Sequence, residues 1–431
     1  MTQKLLLIGS QRVRQLLVAG VVCAFFGVTY FTLTPVGTVR LRYRAENIPY
    51  TLAERSRCPR SFRHGNEILF SDPIKINRGG VYRGNWFSPD PETPAIYIKT
   101  TEPVVIEKSV VAGYGDLVRG KTTSLTIRET EGFGVSDLPG KFVDVWTEGT
   151  IDISRTYFEN LWGIKIHGKG PGVESGSFRV AENCGMNIRE GIEKTAHFVQ
   201  IADGVFYSSR IENNVSVNLP RSSKVEDVIN LYNARGAASS PIYVRSNLID
   251  GAYPGDPTHD NFSGGGIIVD GDKNVNAESA SAFVAIEDNC ILSTANYGVA
   301  IASGNNNLIF RNITVSSGLL RDGSSILSQN VGIYIWNSNE GPAFFSNVAK
   351  QNFSFWRQAA SAVSGRGVKL NNYWLPDCQK KQDGASLCEA NSSPSMSLDD
   401  TEALRFENQF RKGLRDCLGM STGTSASLDA R

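Results

Sequence analysis

Between residues 141 and 336 the chain repeats one short hydrophobic pattern seven times. The segments FVDVW, GIKIH, FVQIA, VINLY, GIIVD, GVAIA and GIYIW each hold an apolar–x–apolar core flanked by polar or glycine residues. The paired positions are Val143/Val145, Ile164/Ile166, Val199/Ile201, Ile229/Leu231, Ile267/Val269, Val299/Ile301 and Ile333/Ile335. All are valine, isoleucine or leucine, and alternation with period two predicts strands with one buried face. Successive copies are 21, 35, 30, 38, 32 and 34 residues apart. Three strands of about five residues joined by three short turns need roughly 20–25 residues. The shortest interval is therefore one minimal circuit, and the others carry loop insertions.

A second strand follows most copies. FRVAEN (178–183), IYVRSN (242–247) and VAIEDN (284–289) share apolar–x–apolar–x–x–Asn, and LIFRN (308–312) is one residue shorter. An asparagine at a fixed place after a strand suits a turn in the left-handed region or a side-chain hydrogen bond, and stacked amides can bond along a column. Asn183, Asn247, Asn289 and Asn312 are read as structural for this reason. Regular strand circuits with no long amphipathic helix between residues 90 and 355 predict an all-β parallel solenoid. On this repeat and asparagine column, residues 60–370 resemble the right-handed parallel β-helix proteins of the pectate-lyase-like superfamily. The resemblance implies action on polysaccharides as a lyase, hydrolase or C5-epimerase. It equally allows a noncatalytic surface protein, because a fold does not assign chemistry.

The ends are built differently. Gln15–Val39 holds no charge and follows Lys4, Arg12 and Arg14. Residues 1–15 are read as a basic segment and 16–39 as a transmembrane signal anchor, with a cleaved signal peptide as the alternative. That places the solenoid, residues 40–370, in the periplasm or outside the cell. Residues 45–90 are expected to cap its first coil. Residues 371–431 are expected to hold a loop stapled by Cys378 and Cys388, a helix within 397–418, and a tail. Ser397 or Asp399 would cap the helix, and Leu404, Phe406, Phe410 and Leu414 lie near one face. A disulfide fits an oxidising compartment. Net charge is +1, which gives no reason to expect nucleic acid. No Cys/His spacing suggests zinc.

If the inward pairs stack, their outward neighbours form columns. One reads Asp144, Lys165, Gln200, Asn230, Ile268, Ala300, Tyr334; the next reads Trp146, His167, Ala202, Tyr232, Asp270, Ala302, Trp336. Coils about 4.8 Å apart match the repeat of an extended sugar chain. The aromatic members suit sugar stacking. Substrate binding is expected of Trp146, Lys165, His167, Asn230, Arg235, Tyr334 and Trp336. The loop 251–265 ends in Gly264–Gly266, which permits close backbone approach, and His259 is expected to arch over Tyr232 and Asp270. His259, Tyr232 and Asp270 are the candidate catalytic group. His259 with Tyr232 would serve as acid and base of a lyase or epimerase on a uronate-containing polysaccharide. Arg235, Lys273 or a Ca²⁺ on Asp270 and Asp272 would neutralise the uronate carboxylate. A hydrolase would instead pair Asp270 with Asp227 or Glu226. DPTHD (256–260) resembles the DPHD motif of mannuronan C5-epimerases, but Thr258 is inserted and shifts His259 relative to Asp256, so epimerase activity is not carried over on it.

Overall fold

The computed structural model describes residues 68–135, 139–189, 196–259, 262–328, 330–361, 365–395 and 399–412, with two further strands, Thr29–Leu33 and Val39–Tyr43. The described chain is a parallel β-helix. The expected ladder forms in the expected register: Val143, Ile164, Val199, Ile229, Ile267, Val299 and Ile333 are successive partners. All fourteen paired aliphatics are buried. Another face is an 11-stranded sheet running from Asn85–Ser88 to Lys369–Leu370. Long strands such as Lys141–Ser154 bend and contribute to two ladders in turn.

The ladder reaches beyond both ends of the repeat. Ile74, Ile96 and Val118 precede Val143 in the same stack. Part of the segment expected as a cap is thus already solenoid. These coils were hard to read because strands Ile74–Ile76 and Ile96–Ile98 are three residues each. At the other end Tyr373 pairs with Ile333, so coiling continues past residue 370.

The asparagine column is a continuous amide ladder. Asn183, Asn214, Asn247, Asn289, Asn312 and Asn352 each pass Nδ2–H to the Oδ1 of the next, ending at Asn391, at 2.9–3.1 Å. The same Oδ1 also accepts the backbone N–H of the preceding asparagine. The other Nδ2 hydrogen reaches a strand carbonyl, as from Asn247 to Ile211. A buried amide with every valence used stabilises its turn, whereas one left unpaired would cost a desolvation penalty.

The helix Asp400–Lys412 is capped by Asp399, whose Oδ1 accepts the N–H of Thr401 and Glu402. It packs along the side of the solenoid: Phe406 meets Phe355 and Phe410 meets Phe353. Beneath it Arg411 bonds both Asp250 and Glu407, and Glu407 accepts from the Ser317 N–H. Cys378 and Cys388 form the expected disulfide, and Cys184 and Cys290 each belong to a separate disulfide. Thr29–Leu33, inside the expected anchor, pairs antiparallel with Val39–Tyr43. Residues 1–28 lie outside the described residues. Among the described residues no helix is long and apolar enough to cross a membrane.

Asn247→Ala removes the acceptor for Asn214 and the donor to Ile211. It is expected to lower unfolding free energy by about 2–4 kcal/mol, since more than one buried partner is orphaned. Denaturant titration checks this; a loss under about 0.5 kcal/mol would show the ladder to be dispensable.

Candidate functional site

The second outward column places Tyr232 opposite Asp270 on adjacent coils, as the pattern predicts. Their partners differ from expectation. The Tyr232 hydroxyl donates to Asp272 Oδ1 at 2.6 Å. Asn233 Nδ2 bridges Asp203 and Asp272 at 3.0 and 3.1 Å, and the Asp272 N–H returns to Asn233 Oδ1. Three acidic side chains from two coils are thus held around a tyrosine–asparagine pair on the coil between. Burial, then the Asp272 hydrogen bond and the charges of Asp272, Asp270 and Asp203, push the Tyr232 hydroxyl above the usual tyrosine range. It stays a proton donor and is a poor base.

His259 does not join this cluster through any contact in the structure. Its side chain is 78% exposed and its Nδ1 pairs with Asp256 at 2.9 Å, a consequence of the tight turn in which Asp256 also caps Thr258. The three glycines do serve close approach. Gly265 lies opposite Asp227, and a methyl there would overlap the Tyr297 ring; one on Gly266 would overlap the Gly298 carbonyl.

That room lets a buried polar group form below Asp270. The Tyr297 hydroxyl donates to Asp227 Oδ1, Asn230 Nδ2 donates to Asp227 Oδ2 at 3.0 Å, and the His197 Nδ1–H reaches the Asp227 carbonyl at 2.9 Å. Burial pushes the Asp227 carboxyl up to about 6, against the two hydrogen bonds that favour its ionised form. Asp270, partly open to solvent, is also pushed up to about 6. Burial leads, the charges of Asp227 and Glu226 add to it, and bonds from Gly271 N–H and Asn339 oppose it. Tyr297 and His197 had no role in the sequence reading. Tyr297 opens the core segment YGVAI, whose inward pair drew the attention, and His197 sits in a turn just before its strand.

The expected open face is largely covered here. Ile268, Ala300, Ala302, Tyr297, Val331 and Tyr334 form a small buried cluster outside the main core. The loop after Ile335 reaches back two coils: Asn339 Nδ2 donates to the Gly271 carbonyl at 2.7 Å. Tyr334 is therefore packing against Tyr297 rather than displayed, and Asn230 serves Asp227. Arg235, expected to meet a substrate carboxylate, donates to the carbonyls of Ala277 and Ala280 and lies over Phe283. Lys273 is exposed.

The other column members fall into two groups. Trp336, 39% exposed, is joined by Trp374, 41% exposed, with ring centres 4.8 Å apart. Trp146 and His167 stack on each other at 4.2 Å with planes 4° apart. His167 Nε2 bonds Asp144 at 2.8 Å. Burial works against ionisation of Asp144, but His167, Lys141 and Arg119 outweigh it and hold its carboxyl below the usual range. Lys165 lies half-buried between Asp144 and Gln200 in the register. Among the described residues, no three acidic, histidine or cysteine side chains gather to hold a metal ion.

Because the native Asp227 carboxyl is raised above its unfolded value, its neutral form is the favoured one. Its contribution to stability is complete below about pH 4 and is lost as pH rises through about 6. Asp227→Asn is expected to gain about 1–3 kcal/mol at pH 7 and nothing at pH 4, with Tyr297 turning its hydroxyl to accept. Melting curves of parent and variant across that range check the sign; a variant equally destabilised at both pH values would refute it.

No family model matches the chain, and no curated protein matches it in sequence. Among solved structures it is similar to tailspike protein 3 of bacteriophage CBA120, at 9% identity and TM-score 0.34 over 76% of this chain and 54% of the tailspike. The chain thus spans about half the length of that tailspike. It is also similar to a PL6 family polysaccharide lyase from Pseudopedobacter saltans, at 10% identity and TM-score 0.25 over 76% of this chain and 94% of the lyase. A third similarity is to the catalytic domain of a GH87 α-1,3-glucanase, at 11% identity and TM-score 0.22 over 76% and 64%. Likenesses this distant do not bear on chemistry, and the parallel β-helix stands on its own strand ladders.

Proposed function

We propose that the protein acts on a polysaccharide laid along the outward columns, cleaving a glycosidic bond by acid–base chemistry at Asp270. The observation that carries this reading is a pair of carboxylates, Asp227 and Asp270, on successive coils, both raised to about 6 and one of them open to solvent. Glycoside hydrolysis needs one carboxyl that keeps its proton near neutral pH and a second that accepts one. Asp270 fits the first role. Burial is the main cause of its raised pKa, and Asp227, opposite the start of the same strand, adds to it when ionised, so it is a positioning residue. Asp272, exposed and fixed by Tyr232 and Asn233, is the available acceptor. The lyase and epimerase alternatives need a base near a neutralised uronate carboxylate. The residues expected for that work are engaged elsewhere: His259 with Asp256, and Arg235 with backbone carbonyls. Trp336 and Trp374, two coils or more from Asp270, supply ring faces for sugars beyond the reacting bond. An oxidising compartment is supported by the bonded Cys184, Cys290, Cys378 and Cys388.

Release of reducing ends from a panel of neutral and acidic polysaccharides tests the activity. Asp270→Asn is expected to lower kcat/KM at least about 100-fold with the fold retained. In the parent, kcat/KM is expected to fall as pH rises through about 6, because Asp270 then loses its proton. Trp336→Ala is expected to raise KM several-fold on long chains and leave kcat nearly unchanged. Unsaturated products in place of new reducing ends alone would favour the lyase chemistry, and an Asp270→Asn variant as active as the parent would remove this site.

The location is checked separately. A reporter fused after residue 431 that is active only in oxidising compartments is expected to be active. Activity confined to a cytoplasmic reporter would reverse the topology.

A further inference from the structure

The outward columns change character along the axis. Lys75, Tyr97, Arg119, Asp144 and Lys165 face one another on five successive coils. The next three coils carry Gln200, Asn230 and Ile268, so charge stops at Lys165. In the second column Lys121, Trp146 and His167 are in register, and Lys99 follows Ile98, the partner of Gly120. Cations and rings interleave. Lys99 lies 5.2 Å from the centre of the Tyr97 ring, Arg119 lies 5.9 Å from Trp146, and Lys141 lies 5.9 Å from Trp162.

Three carboxylates share this stripe. Asp116 pairs with Arg119 and Lys141, Asp144 with Lys141 and His167, and Glu148 with Lys121 and Lys169. Among the described residues Lys75, Lys99, Arg119, Lys121, Lys141 and Lys169 outnumber these three carboxylates two to one. The whole chain has a net charge of only +1, so this is a local concentration. Farther along the same face the sign reverses at Asp203, Asp270 and Asp272.

We propose that this stripe binds an anionic polysaccharide lying along the solenoid axis, with its acidic sugars over the coils of residues 75–169 and its reacting bond over Asp270. The proposal rests on the polysaccharide reading above and names its substrate class. Cations repeating coil by coil, about 4.8 Å apart, match a polymer that carries charge along its length. Rings beside them suit sugar faces. Interleaved carboxylates disfavour the denser charge of a nucleic acid backbone. The acidic group around Asp270 would repel a uronate at the reacting bond, so the anionic groups are recognised about 14 Å away, three coil steps from Lys165. Remote binding of this kind supplies energy for chemistry elsewhere on the same ligand.

The test is affinity electrophoresis of the full chain in polygalacturonate, alginate or neutral pullulan, with short single-stranded DNA and anionic lipid vesicles as competitors. The variant is Lys99→Glu/Arg119→Glu/Lys121→Glu, three exposed positions, with melting temperature measured alongside. Retardation by an acidic polymer but not by pullulan is expected. It should weaken at least tenfold in the variant and fall steeply in about 0.5 M salt. No retardation of the parent by either acidic polymer, equal retardation of the variant, or tighter binding to DNA or vesicles would overturn the proposal. The two readings separate. Binding through the stripe without release of reducing ends defeats cleavage at Asp270 and leaves the stripe standing. Cleavage of neutral glucans, unaltered in the triple variant, does the reverse.

Discussion

From Asn183 to Asn391 seven coils of the solenoid turn one corner at the same angular position, and an asparagine amide fixes it in each. The side chain has two donors and an oxygen that accepts twice. At Asn247 the donors go to the Ile211 carbonyl and Asn289, and the oxygen accepts both the N–H and Nδ2–H of Asn214. Aspartate would bring a charge and no donors, and glutamine would reach too far. The rungs join residues as few as 23 and as many as 42 apart in sequence. Length can therefore vary anywhere in a circuit except at this corner, and the strands on either side remain in register.

Fixed register turns neighbouring side chains into columns whose properties follow from what the insertions do to them. Around Tyr297, the side chains of Ile268, Ala300 and Tyr334 are buried although they lie outside the main core. Burial takes solvation from the ionised forms of Asp227 and Asp270, which disfavours them. Where the coils carry short turns, at residues 119–167, the columns stay polar and Asp144 is held ionised by its basic neighbours. One repeat thus gives two electrostatic environments on a single face.

The inward pairs were fully legible in the sequence, because burial on one face imposes period two on β-branched residues. The ladder register follows from that alone. Half-legible were the amide rungs: Asn183, Asn247, Asn289 and Asn312 follow a strand pattern, whereas Asn214 follows the short RIE strand and Asn391 follows no strand at all. The candidate site was least legible. Tyr232 opposite Asp270 came from register, but the partners of His259, Arg235 and Tyr334 depend on how inserted loops fold, and no periodicity encodes that. Trp374 was missed because a two-residue strand, Tyr373–Trp374, has no pattern to find.

A solenoid stabilised by its aliphatic stack and, from Asn183 to Asn391, by the amide ladder tolerates a local cost. Asp227 carries one: fully enclosed, bonded by Tyr297 and Asn230, and with its negative charge disfavoured. An asparagine at the same position would satisfy both neighbours without that cost, so packing alone gives no reason for a carboxylate. What the carboxylate adds, when it ionises, is a second negative charge that reinforces the effect of burial on Asp270. Strongly shifted groups of this kind concentrate at functional sites. The same column that holds Asp270 holds a ring face at Trp336 and, at its other end, part of the basic stripe. The fold sets them along one line at coil spacing, which is the geometry an extended chain of sugars requires and a small ligand does not.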